Sequence, residues 1–157
     1  GRAHLIAESL LNQIRPESPW TILRLSGIYG PGRIPRAADV IAGRPIASPQ
    51  HGFLNLIHVD DAAEAVCSTL RKNTQRLYVV SDDQPVVRSQ FYEEIACQIG
   101  AKKPQFVTPD ASSPVMIRSE SNKRVWNRRM KRDLVSKLHF PTYQHGLADI
   151  LSAKACR

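Results

Sequence analysis

Apolar residues Ala3, Ile6, Ala7, Leu10, Leu11 and Ile14 recur at the three- and four-residue spacing of one helix face. Pro16 and Pro19 end that helix near Arg15. The run from Thr21 to Tyr29 is largely apolar, without clean alternation. That suits a strand buried on both faces, as in a parallel sheet covered by helices. Gly30-Pro31-Gly32 breaks it. A short helix over 35–42 should stop at Gly43. Two extended pieces follow, 45–48 and 53–59, with His51-Gly52 turning between them as a hairpin. Asp60-Asp61 is expected to cap a helix reaching Arg71, with Ala62, Ala63, Val66, Thr69 and Leu70 turned inward. Residues 77–80 read as a second buried strand. Ser89 then opens a helix that carries Phe91, Ile95 and Ile99 and ends at Gly100. Residues 101–120, with Pro104, Pro109 and Pro114, read as loop. Ser121 or Asn122 would cap a helix striped by Trp126, Met130, Leu134 and Leu138, and a last helix covers 143–151.

Strands separated by helices argue for an α/β layered fold. Two central strands do not make a stable sheet alone, so the chain reads as a single unit, 1–157, that is one part of a larger sheet. Its 157 residues are 42% hydrophobic and 23% charged, which excludes a disordered chain, collagen and a coiled coil. No apolar run reaches the roughly 18 residues of a membrane span, and no signal-peptide pattern opens the chain. Cys67, Cys97 and Cys156 form no C-x-x-C pair. The first two fall in helical patterns, are expected to be buried, and fit a reducing cytoplasm. No third ligand stands at useful spacing from His58, Asp60 and Asp61, so no metal site is expected.

The formal charge is +8, which first raises nucleic acid as a partner. Most of it sits in 118–132: Arg118, Lys123, Arg124, Arg128, Arg129, Lys131 and Arg132 against Glu120 alone. That stretch lacks interleaved aromatics beyond Trp126 and carries no recognised nucleic-acid motif. A nucleic-acid-binding module through 118–132 is therefore the last-ranked reading.

Three segments together resemble a known family. Leu23-Arg24-Leu25-Ser26-Gly27-Ile28-Tyr29-Gly30-Pro31-Gly32 is similar to a strand and loop of the extended short-chain dehydrogenase/reductases. Asn55-Leu56-Ile57-His58-Val59-Asp60-Asp61-Ala62-Ala63 is similar to a later strand and helix start. The helix with Ala7-Glu8 and Leu10-Leu11 resembles the one after the catalytic pair. In order and spacing these resemble the C-terminal part of the NAD-dependent epimerase/dehydratase group. Ser121-Asn122-Lys123-Arg124-Val125 is similar to an atypical branch of it.

The resemblance implies the C-terminal portion of a Rossmann-type parallel sheet, with a small substrate-binding lobe formed by the loop and helices of 101–151. NAD or NADP would be bound mainly by an N-terminal Gly-rich half that this sequence does not contain. Gly27-Ile28-Tyr29-Gly30-Pro31-Gly32 has the spacing G-x-x-G-x-G, interrupted by Pro31, and reads better as a turn than as a pyrophosphate cradle. The family's Tyr-x-x-x-Lys pair is absent: the tyrosines are followed at that spacing by Arg33, Asp82, Ala96 and Leu147. The Lys position aligns with His4, so no catalytic residue is assigned.

By the same resemblance, Ser26, Gly27, Ile28 and Tyr29 lie near the cofactor, and Gly27 stands where family members often carry Asn. Arg33, Arg36, His58, Asp60, Lys123 and Arg124 are candidate contacts for a small anionic substrate such as a nucleotide-linked sugar. Each has a plain structural reading beside it: packing for Ile28 and Tyr29, solvated surface for the arginines, helix capping for Asp60 and Asp61. A homodimer through the helix holding Ala3 and Ile14 is also implied. The expected function is the substrate-side portion of an NAD(P)-dependent epimerase, dehydratase or reductase. The alternative is a non-catalytic NAD(P)-binding regulatory member of the same fold.

Overall fold

The computed structural model describes residues 2–72, 76–110 and 122–155. The elements are α1 (Arg2–Ile14), β1 (Thr21–Leu25), β2 (Gly27–Tyr29), α2 (Ala37–Ile41), β3 (Ile46–Ala47), β4 (Phe53–Leu54) and β5 (Leu56–His58). There follow α3 (Val59–Thr69), β6 (Arg76–Val80), β7 (Val86–Val87), α4 (Arg88–Gln98), β8 (Phe106–Val107), α5 (Arg128–Asp133) and α6 (Tyr143–Ala155). Among the described residues no helix is long and apolar enough to cross a membrane.

The expected 21–29 strand changes partner half-way. β1 pairs in parallel with β6, and β2 pairs in parallel with β5. Ser26 N–H still donates to Val80 O at 2.9 Å, and Gly27 N–H donates to Asn55 O at 2.9 Å. The parallel pairing is that expected of an α/β fold. β1 is not buried on both faces, however: Thr21, Ile22 and Leu23 are half-buried and Arg24 and Leu25 are exposed, because α1 beside it has no buried residue. The period-2 alternation of β2 and β5 divides the interior into two cores. Tyr29 and Leu56 join Phe91, Ile95 and Leu147 on one face. Ile28 and Ile57 join Tyr78, Met130 and Leu138 on the other.

Several sequence expectations are corrected. The 46–47 and 53–58 pieces do not form a hairpin. β3 pairs with β8, β4 pairs antiparallel with β7, and β5 goes to β2. The loop between them is satisfied instead by buried Arg88, whose Nη1 donates to His51 O at 2.9 Å and Pro49 O at 3.4 Å. Helix α3 turns Asp61, Ala62, Ala65 and Ser68 inward, while Val66 and Leu70 are exposed. Asp61 bonds to a distant turn and so sets the helix's rotation. Cys67 and Cys97 are exposed, not buried, because both lie off the inward faces of their helices. The helix striped by Trp126 is shorter than expected: α5 starts at Arg128 after Asn127, which leaves Trp126 72% exposed. Leu138 is buried beyond its end. The expected cap at Ser121, together with Arg118, Glu120 and Cys156, lies outside the described residues.

Gly146 of α6 lets Tyr29 fill its core. A Cβ there would overlap Tyr29 Oη and stand 2.8 Å from Tyr29 Cε2 and Cζ. Tyr29 is fully buried and cannot move aside. Gly146→Ala should therefore cost about 2 kcal/mol by overpacking, despite Ala's better helix propensity, measured by urea denaturation. Tyr29→Phe added to it should restore part of the loss, because the overlap with Oη is gone. A stabilised Gly146→Ala variant contradicts this packing.

Candidate functional site

β2, β5 and β6 run in the same direction, and their C-terminal ends gather the polar residues. His58 ends β5 and is 1% exposed. Its Nδ1 accepts from Asp60 N–H at 3.3 Å and so caps α3. That corrects the expectation that Asp60-Asp61 does the capping. Asp60 is exposed, 3.5 Å from His58 Nδ1. Asp61 is fully buried and accepts from His139 N–H at 2.7 Å and Phe140 N–H at 2.9 Å. Phe140 in turn lies against His58, with ring centroids 4.0 Å apart, and Tyr29 meets His58 edge-on at 5.3 Å. Tyr29 Oη and His58 Nε2 are buried with no polar partner among the described residues. Burial, with Asp82 and Asp61 nearby, pushes the Tyr29 phenol far up from its ordinary value.

The basic segment is drawn to this sheet edge by two asparagines: Asn55, which opens one of the family-like segments but carries no role there, and Asn127, which no sequence pattern marks. Asn55 Nδ2 donates to Lys123 O at 2.9 Å, and its Oδ1 accepts from Val125 N–H at 2.9 Å. Buried Asn127 donates to Ser81 O, Asp82 O and Asp83 Oδ1 at 2.9, 3.0 and 2.7 Å. The arginines of α5 are exposed, as a solvated helix face requires, and several of its cations also have partners. Arg129 Nη1 donates to Leu77 O at 2.9 Å, Lys131 pairs with Asp83 at 2.7 Å, and Arg128 lies 4.3 Å from the Trp126 ring centroid. Arg124 lies over Phe53, 4.7 Å from the ring centroid, and no carboxylate among the described residues pairs with it. Between these groups is a cavity of about 670 Å³, lined among others by Phe53, Asp82, Arg124, Trp126 and Asn127. That is the size of an ordinary small-molecule site.

The predicted site residues therefore separate. Tyr29 and His58 come together, but inside the core. Arg124 lines the cavity, whereas Lys123 does not: it is exposed, and only its backbone carbonyl is held, by Asn55. Arg33 and Arg36 flank α2 instead, and Arg36 pairs with Asp39 at 3.3 Å, so its guanidinium is already engaged. Ser26 is half-buried, Gly27 exposed, and Ile28 packs in the core. Among the described residues no cluster of His, Cys, Asp or Glu could hold a metal.

No protein-family model matches the chain. It is 33% identical over 92 residues to protein YeeZ of Escherichia coli K12, covering 58% of this chain and 32% of that one. It superposes with a TM-score of 0.78, at 30% identity, on a conserved protein of unknown function from Silicibacter pomeroyi, over 98% of this chain and 55% of the other. UDP-glucose 4-epimerase from Thermotoga maritima, solved with UDP-glucose, gives 0.77 at 17% identity, over 100% of this chain and 54% of that one. The mixed α/β fold with parallel strands is that of the NAD-dependent epimerases and dehydratases it superposes on. The chain spans about a third of the curated relative and about half of the solved ones.

Within the epimerase/dehydratase fold, the 27–36 segment does not fit a dinucleotide pyrophosphate. A Cβ at Gly30 would come 2.6 Å from Val59 Cγ1, so this glycine answers to packing against α3. The helix that follows has only five residues, and Arg36 before it adopts a left-handed conformation. A pyrophosphate needs a run of exposed amides at the start of a long helix.

Proposed function

We propose that the chain is the substrate-side part of an NAD(P)-dependent epimerase, dehydratase or reductase acting on a nucleotide-linked sugar. The observation that carries this reading is the cavity beneath Arg124. A guanidinium laid on Phe53, with no carboxylate partner among the described residues, is suited to phosphate or carboxylate. Asn55 fixes the backbone on both sides of Arg124 and so holds it at the cavity mouth. The nicotinamide cofactor would supply hydride transfer, and residues outside this chain would hold it. The residues present bind and orient the substrate. No acid–base step is assigned to them, because the chain has no Tyr-x-x-x-Lys pair.

Calorimetric titration with UDP-glucose tests the reading. The chain should bind it, and Arg124→Ala should weaken binding about 10-fold, the usual scale for one charge-assisted contact. No binding, or binding indifferent to Arg124, would sink the assignment. NAD(P) should bind weakly or not at all, for want of a cradle.

A regulatory, non-catalytic member of the same fold is the second reading, supported by His4 at the position of the family's Lys. A homodimer through α1 belongs to both readings. Leu5, Ile6, Leu10 and Ile14 are 46–68% exposed along a helix with no buried residue. Sedimentation should show a dimer that Ile6→Glu with Leu10→Glu converts to monomer. A monomeric parent chain contradicts that contact.

A further inference from the structure

One wall of the 670 Å³ cavity carries a polar group that the tethers described above leave without a partner. Asp82, just past the end of β6, is 2% exposed. Its Oδ1 accepts from Gln84 N–H at 3.2 Å. Its Oδ2 is buried with no hydrogen-bond partner among the described residues. The surrounding charges do not favour an anion. Asp83 follows it in the chain but is engaged by Asn127 and Lys131. Asp61 on α3 adds a second acidic group, while Tyr29 on β2 and Tyr143 on α6 bring phenols. Arg124 lines the same cavity but is stacked on Phe53. Burial first, then Asp83 and Asp61, pushes the Asp82 carboxyl up to about 8, against the opposing pull of Gln84 N–H. A protonated carboxyl has one O–H to donate.

We propose that Asp82 is a specificity-determining residue of this cavity: its Oδ2 donates a hydrogen bond to a neutral oxygen, a hydroxyl or carbonyl, of a ligand whose anionic group rests on Arg124. This rests on the substrate-site reading and adds to it the chemistry that one wall demands. A nucleotide-linked sugar meets both requirements, because it joins phosphates to hydroxyls. A buried donor left unmatched is costly, so ligands without an acceptor there are disfavoured.

Calorimetry with UDP-glucose between pH 6 and 9 tests the proposal. Wild-type affinity should fall about 10-fold across that range as Asp82 ionises. Asp82→Asn keeps a neutral donor, so it should bind within about 3-fold of wild type at pH 6 and show a flat profile. Asp82→Leu, with folding verified by its thermal transition, should bind about 10-fold more weakly at pH 6. If wild type and Asp82→Asn share one pH profile, or folded Asp82→Leu binds like wild type, the role of Asp82 is overturned while the substrate reading stands. If wild type does not bind UDP-glucose at any pH, both are overturned.

Discussion

Replacing Asp61 with Ala is expected to remove about 4 kcal/mol of stability, one of the two largest effects foreseen for a single side chain here. Asp61 has no exposed surface, and its two oxygens take the N–H groups of His139 and Phe140. Alanine would leave both donors without an acceptor in a part-buried turn, each at about 1–3 kcal/mol. Asp61→Asn can accept from only one of them and presents its own N–H₂ toward the other. It should recover less than half of the loss. Urea denaturation measures both variants, and a loss below about 1 kcal/mol for Ala would contradict the role given to this side chain. The effect should reach the sheet edge as well. The turn that Asp61 holds puts Phe140 against His58, so the His58 ring protons should shift in the NMR spectrum of either variant.

Asp61 also shows where sequence reasoning stops. Two acidic residues before an apolar-periodic run are fully explained by capping, and that explanation was locally sufficient. His58 takes the cap, leaving Asp61 for a partner 78 residues away that no spacing encodes. The rotation of α3 follows from that long-range bond, so its inward face was misread. Elements governed by local signals were legible. α1 stops before Pro16, α4 before Gly100, and β1 and β6 form a parallel pair where their apolar runs predict strands, although β1 is not covered on both faces. The site was legible in its charged half only. Arg124 stands out by charge, whereas Asn127 and Asp82 are single polar residues in unremarkable surroundings and Asn55 opens a family-like segment that gives it no role. Their importance comes from the backbone groups that folding brings to them. Tyr29 and His58 were found by position on their strands, but position alone could not show that both side chains point into the core.

Replacing Asp82 with Asn should raise stability by about 3 kcal/mol at pH 8, the other large effect. The sign follows from proton linkage. The Asp82 carboxyl is held up to about 8 in the folded chain, against an ordinary value of 3.8. Between those two values the folded chain keeps a proton that the unfolded chain releases. The folded state binds more protons, so wild-type stability falls as pH rises from about 4 to about 8 and then levels off. The ceiling is on the order of 5 kcal/mol, and structural relaxation around the carboxyl lowers it to the figure expected. Asparagine has no proton to retain and keeps an oxygen for Gln84 N–H. The variant should match wild type near pH 4 and gain on it steadily toward pH 8. In a chain of this length each kcal/mol moves the thermal midpoint by about 2–4 °C, so differential scanning calorimetry resolves the difference. Equal stability gains at pH 4 and pH 8 would show that packing, not protonation, separates the two side chains. The same residue thus lowers stability as the price of a donor at the cavity wall, a conflict expected where a buried group serves a ligand rather than the fold.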